Sequence, residues 1–97
     1  MVNYAQATLV NHGRYNFSPV EFAIDKDSDV HGYVQLAGQL REKISTGEIT
    51  GRLPSLTELC NDSGLSMSTV QHAVAVLKGE GLVYAVRGRG MFVRHPG

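Results

Sequence analysis

The stretch Ser55–Lys78 reads SLTELCNDSGLSMSTVQHAVAVLK. Ser55, with Glu58 three residues on, forms a capping box, in which each side chain satisfies a backbone group of the first helical turn. Leu56, Leu59 and Cys60 are expected to face inward. Asn61, Asp62, Ser63 and Gly64 are turn formers and end this short helix. Ser66 is a second N-cap, and the helix it opens runs from about Met67 to Lys78. Val70, Ala73, Val74 and Leu77 recur at helical spacing and form its buried stripe. Gly64 can adopt the positive φ that reverses the chain. The small side chain of Cys60 lets the two helices cross closely, and Val70 packs back into the angle between them. Two capped helices around a glycine turn make a helix-turn-helix signature.

On the C-terminal side, GEG closes the second helix. LVYAV (Leu82–Val86) and MFV (Met91–Val93) follow as two β-rich runs separated by RGRG, which reads as a hairpin. On the N-terminal side, EITGRLP is a connector with room for one or two residues of strand. Before it, Tyr33, Ala37, Leu40 and Ile44 mark one face of a helix over about Gly32–Thr46, stopped near Gly47. Val20, Phe22 and Ile24 alternate with polar or small residues and predict a short strand. The element order is therefore strand, three helices, hairpin. Residues 1–18 show no clear period and read as a flexible arm; residues 19–97 read as one mainly α domain. Its expected core is Tyr33, Leu40, Ile44, Leu53, Leu59, Leu65, Val70, Leu77, Leu82, Val83 and Phe92.

Composition limits the function classes. The chain has 97 residues, 42% hydrophobic, enough for one modest core, and a single cysteine, which cannot form an internal disulfide. No run is long enough to span a membrane, and the N-terminus lacks the basic start and apolar stretch of a secretory signal, so a cytoplasmic protein is expected. NFS at Asn16 and NDS at Asn61 are chance matches to the glycosylation pattern in that setting. Net charge is zero, but residues 1–50 hold four basic and six acidic groups, and residues 51–97 hold five and three. After Gly64 the basic groups are Lys78, Arg87, Arg89 and Arg94, against Glu80. This mildly basic C-terminal third is an electrostatic footprint for a polyanion.

Two other chemistries fail on spacing. Asp25, Asp27 and Asp29 resemble the opening of a calcium loop, but its sixth and twelfth positions would be Val30 and Leu36 instead of Gly and Glu. They form a solvated turn, with Asp29 near the positive end of the next helix. GRGRG is not followed by a helix and lacks the Lys-Ser/Thr pair of a phosphate-binding loop. His12, His31, His72 and His95 lack metal-ligand spacing. No catalytic set is visible, and no cofactor or metal is expected.

In a helix-turn-helix the second helix enters the major groove by its N-terminal end. Here that end carries Ser66, Met67, Ser68, Thr69, Gln71 and His72. Hydroxyls and backbone N–H groups at a helix start suit phosphate oxygens. Gln71 can pair bidentately with adenine, and His72 is a weaker candidate. Ser66 can also act purely as a cap.

From about Val20 to Val93 the chain resembles the N-terminal winged-helix domain of GntR-family bacterial transcription regulators. The resemblance rests on YVQLAGQLREKISTGEI, RLPS, LTELCNDSGLSMSTVQHAV, LKGEGLV and GRGMFV, in the family's order. It implies a winged helix-turn-helix fold, binding as a homodimer to a double-stranded DNA operator, and repression of transcription. It also implies a recognition helix (about 66–78) in the major groove and a wing (about 82–94) near the minor groove. Ser55, Ser66, Ser68, Thr69 and Gly88 match the family's DNA-facing positions. Departures are equally informative. Thr57 and Gln71 stand where the family commonly carries arginine, Met67 where it often carries arginine or another polar residue, and His72 where it carries an acid. The connector is about two residues shorter. With those arginines absent, phosphate and guanine contacts are lost. Binding then leans on Arg87, Arg89 and Arg94, and Gln71 favours A·T pairs. The family usually adds a ligand-sensing domain, so the chain is either a DNA-binding piece of a longer repressor or a free-standing short protein; the polar tail favours the former. Two other readings remain open: a protein-interaction or assembly module, and an excision or partition factor of a mobile element.

Overall fold

The computed structural model describes residues 22–94. Three α-helices are followed by a two-stranded antiparallel hairpin: α1 (Gly32–Ser45), α2 (Leu56–Ser63), α3 (Met67–Gly79), β1 (Val83–Val86) and β2 (Gly90–Val93). The arm expected over residues 1–18 lies outside the described residues, as do Val20, His12 and His95. No described helix is long and apolar enough to cross a membrane.

The strand expected around Val20–Ile24 is absent among its described residues; Phe22–Ile24 are extended but join no ladder. Two glutamines on α1, one turn apart, take the place of a partner strand. The Gln39 side-chain amide accepts from Ala23 N (2.8 Å) and donates to Ala23 O (2.9 Å). The Gln35 amide accepts from Asp25 N (2.8 Å) and donates to Asp25 O (2.9 Å) and Val30 O (2.7 Å). The alternation itself is retained, because Phe22 and Ile24 pack against the core. An extended segment's backbone groups need partners, but not backbone ones.

Helix α1 begins at His31, whose side chain makes no capping bond, and the first turn holds no acid, so Asp29 does not cap it. The helix buries Leu36, Ala37 and Leu40. Ala37 and Leu40 are buried as expected and Leu36 joins them, while Tyr33 and Ile44, on the same face near the two ends of the helix, are only partly buried. At the other end Ile49 N bonds Lys43 O (3.1 Å), and the turn carries Ile49 into the core, a residue absent from the expected set.

The helix pair matches its sequence signature closely. Ser55 Oγ accepts from Glu58 N (3.1 Å) and Glu58 Oε1 from Ser55 N (2.8 Å), completing the capping box. Gly64 ends α2 at φ 75°, its N–H bonded to Cys60 O (2.9 Å). A side chain there would find space, with Lys26 Nζ at 3.9 Å as its only neighbour, so the positive φ is what requires glycine. Ser66 caps α3, which buries Val70, Ala73, Val74 and Leu77 as expected.

The hairpin pairs Val83 with Val93, Tyr84 with Phe92, Ala85 with Met91 and Val86 with Gly90. The connector adds a bridge on the far side of β2: Arg52 pairs with Phe92, Leu53 N bonds Met91 O (2.8 Å), and Val93 N bonds Gly51 O (2.7 Å). Successive strand residues face opposite sides. Val83 and Val93 thus enter the core, while Tyr84 and Phe92 lie on the outer side. Phe92, expected in the core, is half-exposed for this reason. The core proper is Leu36, Ala37, Leu40, Ile49, Leu53, Leu59, Val70, Ala73, Val74, Leu77, Val83 and Val93. Leu65 and Leu82 pack only partly against it.

Candidate nucleic-acid interface

With Val70, Ala73, Val74 and Leu77 turned inward, helical geometry leaves Met67, Ser68, Gln71, His72, Ala75 and Lys78 outside, and all six are exposed. At the leading end the hydroxyls bond one another. The Ser66 hydroxyl donates to Thr69 Oγ1 (2.9 Å), accepts from Thr69 N (3.3 Å) and lies 3.4 Å from Ser68 Oγ. Ser66 is thus a cap first, and its spare capacity toward a ligand is limited. Thr69, half-buried, is held in the same cluster.

The flanks of α3 differ. On one side His72 stacks on Tyr33 of α1, with ring centroids 3.7 Å apart and planes 10° from parallel. His31 continues the stack at 6.1 Å on Tyr33. His72 is exposed but braced against α1, and the stack was not legible from sequence because Tyr33 was read as a core residue. On the other side a cleft of about 210 Å³, lined by Leu56, Gln71, Val74, Ala75, Lys78 and Met91, separates α3 from the wing. Gln71 stands at its rim.

The wing tip is Arg87-Gly88-Arg89. Arg89 N bonds Val86 O (2.9 Å), and Gly88 at φ 76° occupies the turn position that needs a positive φ. Arg87 and Arg89 are exposed and form no ion pair among the described residues. Arg94 sits at the base of the wing, where its guanidinium lies 4.9 Å from the Tyr84 ring centre. The structure adds a fourth arginine to this region. Arg52, bridged to β2, holds its guanidinium 3.6 Å from the point a Gly90 side chain would occupy. This bridge supplies the short piece of strand expected in the connector, and the neighbouring Leu53 is buried.

Ser55 and Thr57 are exposed at the start of α2. Ser55 is committed to the capping box, and Thr57 makes no side-chain bond among the described residues. No three His, Cys, Asp or Glu side chains gather as a metal site among the described residues.

The same arrangement occurs in proteins of known kind. A family model described as bacterial regulatory proteins, gntR family, matches residues 32–93. The HTH-type transcriptional repressor NagR of Bacillus subtilis is 40% identical over 75 residues, covering 75% of this chain and 31% of NagR. The chain spans no more than about a third of the length of the curated relatives it matches. YtrA from Sulfolobus acidocaldarius, a GntR-family transcription factor, superposes with TM-score 0.71 at 34% identity, covering 80% of this chain and 84% of that one. The AraR DNA-binding domain, solved with its operator ORX1, superposes with TM-score 0.66 at 26% identity, covering 77% of this chain and 99% of that one. Three helices, a capped helix pair and an arginine-tipped hairpin, matched over residues 32–93, place this chain in the gntR family of bacterial regulatory proteins, with the described residues forming its winged helix-turn-helix DNA-binding domain.

Proposed function

We propose that this chain binds an operator sequence-specifically, as a homodimer on double-stranded DNA, and represses transcription. The observation that carries the reading is the exposed, Ser66-capped start of α3, in a fold shared with a domain solved on its operator. Helix α3 enters the major groove by that end. Ser68 and Ala75, small and exposed on its outward face, let the helix backbone come close to the base edges. Gln71 pairs with adenine, while His72, braced on Tyr33, fixes the helix's approach. The helix starts capped by Ser55 and Ser66 offer free backbone N–H groups to phosphates, Thr57 its unbonded hydroxyl, and Thr69 the proton that its accepting hydroxyl keeps. Arg87 and Arg89 reach the minor groove from the wing tip, with Gly88 allowing close approach. Arg52 and Arg94 supply positive charge behind them.

Selection of bound duplexes from a random pool tests this directly. Enrichment of an inverted repeat with A·T pairs at the helix-contacted positions is expected. Retention of no duplex above background would overturn the reading in favour of a protein-interaction module. In the selected site, Arg89→Ala should weaken binding of all sequences about equally and lower the salt slope by roughly one. An unchanged slope removes the wing tip from the interface.

A further inference from the structure

Met67 is the first residue of α3 and one of four large apolar side chains left exposed among the described residues, at 41%. A single exposed apolar residue is ordinary on a protein surface. Its position and neighbours are what give it meaning here. The three hydroxyls around it, on Ser66, Ser68 and Thr69, are engaged with one another. Met67 is therefore the large side chain at the leading edge of α3 that neither packs into the core nor bonds locally. It can offer a groove no hydrogen bond of consequence, only an adaptable apolar surface. In the major groove one base presents an apolar group, the 5-methyl of thymine.

We infer that Met67 reads the 5-methyl group of a thymine in each half-site; this rests on the DNA-binding reading above. Gln71 lies four residues further, on the adjacent turn, where side chains at this spacing are neighbours. The pair thus reads neighbouring positions, Gln71 by hydrogen bonds to adenine and Met67 by burial against thymine. An A·T preference then has two independent sources, one polar and one apolar, and removal of either leaves the other.

The test uses the 97-residue chain and a duplex selected from a random pool, with each thymine replaced in turn by deoxyuracil. This exchange removes the methyl and keeps every hydrogen-bonding group. At one thymine per half-site it should weaken binding about three- to fivefold, the effect of one buried methyl. With Met67→Ala that sensitivity should vanish, and with Met67→Leu it should persist. Because Met67 is exposed and outside the core, these variants should melt as the parent does, which circular dichroism checks. If duplexes are selected and bound but deoxyuracil is without effect throughout, or the loss is the same in Met67→Ala, the assignment to Met67 is overturned while DNA binding stands. If no duplex is retained, the DNA reading falls and this inference with it.

Discussion

Leu36 is completely buried in α1, next to Ala37 and one turn before Leu40, while Phe92 on β2 is only partly buried. Burial decides the consequence of truncation more than side-chain size does. Leu36→Ala leaves a cavity that its rigid neighbours fill only partly and should cost about 2–5 kcal/mol. Phe92→Ala should cost less, about 1–2 kcal/mol, because part of its apolar surface is already in water and it lies outside the core. Urea unfolding of the two variants checks the order. Equal or reversed costs would mean that the outer face of the wing is covered in solution. For a small domain with a few kcal/mol to spare, Leu36→Ala approaches outright unfolding. Gly64 is constrained differently, by its backbone at φ 75° and not by crowding.

At the scale of elements, the segment before α1 shows that strand-like alternation does not require a strand. Phe22 and Ile24 alternate with Ala23 and Asp25 as a half-buried strand would. Their backbone partners are the side chains of Gln35 and Gln39, which duplicate the donor and acceptor of a neighbouring peptide. Gln39→Ala should therefore free the Ala23 amide. Hydrogen exchange should show that amide losing protection by more than tenfold, with the amides of α3 unchanged. Unaltered protection at Ala23 would rule out Gln39 as its acceptor. The helix pair behaves oppositely. Capping box, glycine turn, second cap and buried stripe are all local in sequence, and each occurs where its residues predict.

At the scale of the molecule, an ion pair among the described residues ties α1 to the end of α3. Arg41 of α1 holds Glu80, just past α3, through Nε–Oε1 at 2.9 Å and Nη2–Oε2 at 2.8 Å. The hydrogen bonds from Arg41 hold the Glu80 carboxyl below its ordinary range. A carboxyl lowered on folding contributes stability above its unfolded pKa, and that contribution is lost as pH falls through the folded value. Glu80→Gln should therefore lower the melting temperature at pH 7, by at most about a few degrees because the pair is exposed. The difference should begin to shrink as pH falls through about 4.3, the ordinary glutamate value, and vanish once Glu80 is protonated in the folded chain as well. A difference that stays the same from pH 7 down to pH 3 would assign the effect to packing instead of charge. Added salt should shrink it as well.

The helix-turn-helix, the wing and the wing's arginines were legible in the chain because each depends on neighbours within a few residues. A cap needs its third successor, a turn needs its glycine, and a hairpin needs alternation around a tight loop. The interface candidates on α3 followed from the same periodicity. The rest depended on contacts between distant segments. That Leu36 joins Ala37 and Leu40 as fully buried, and Tyr33 and Ile44 do not, was decided by α3 packing across α1. The outward side of Phe92 was decided by pairing register, since a shift of one residue reverses every side chain of a strand. Tyr33 against His72, and Arg52 beside Gly90, bring together residues 39 and 38 positions apart. Local rules are silent at that distance, because only the packed chain determines which surfaces meet.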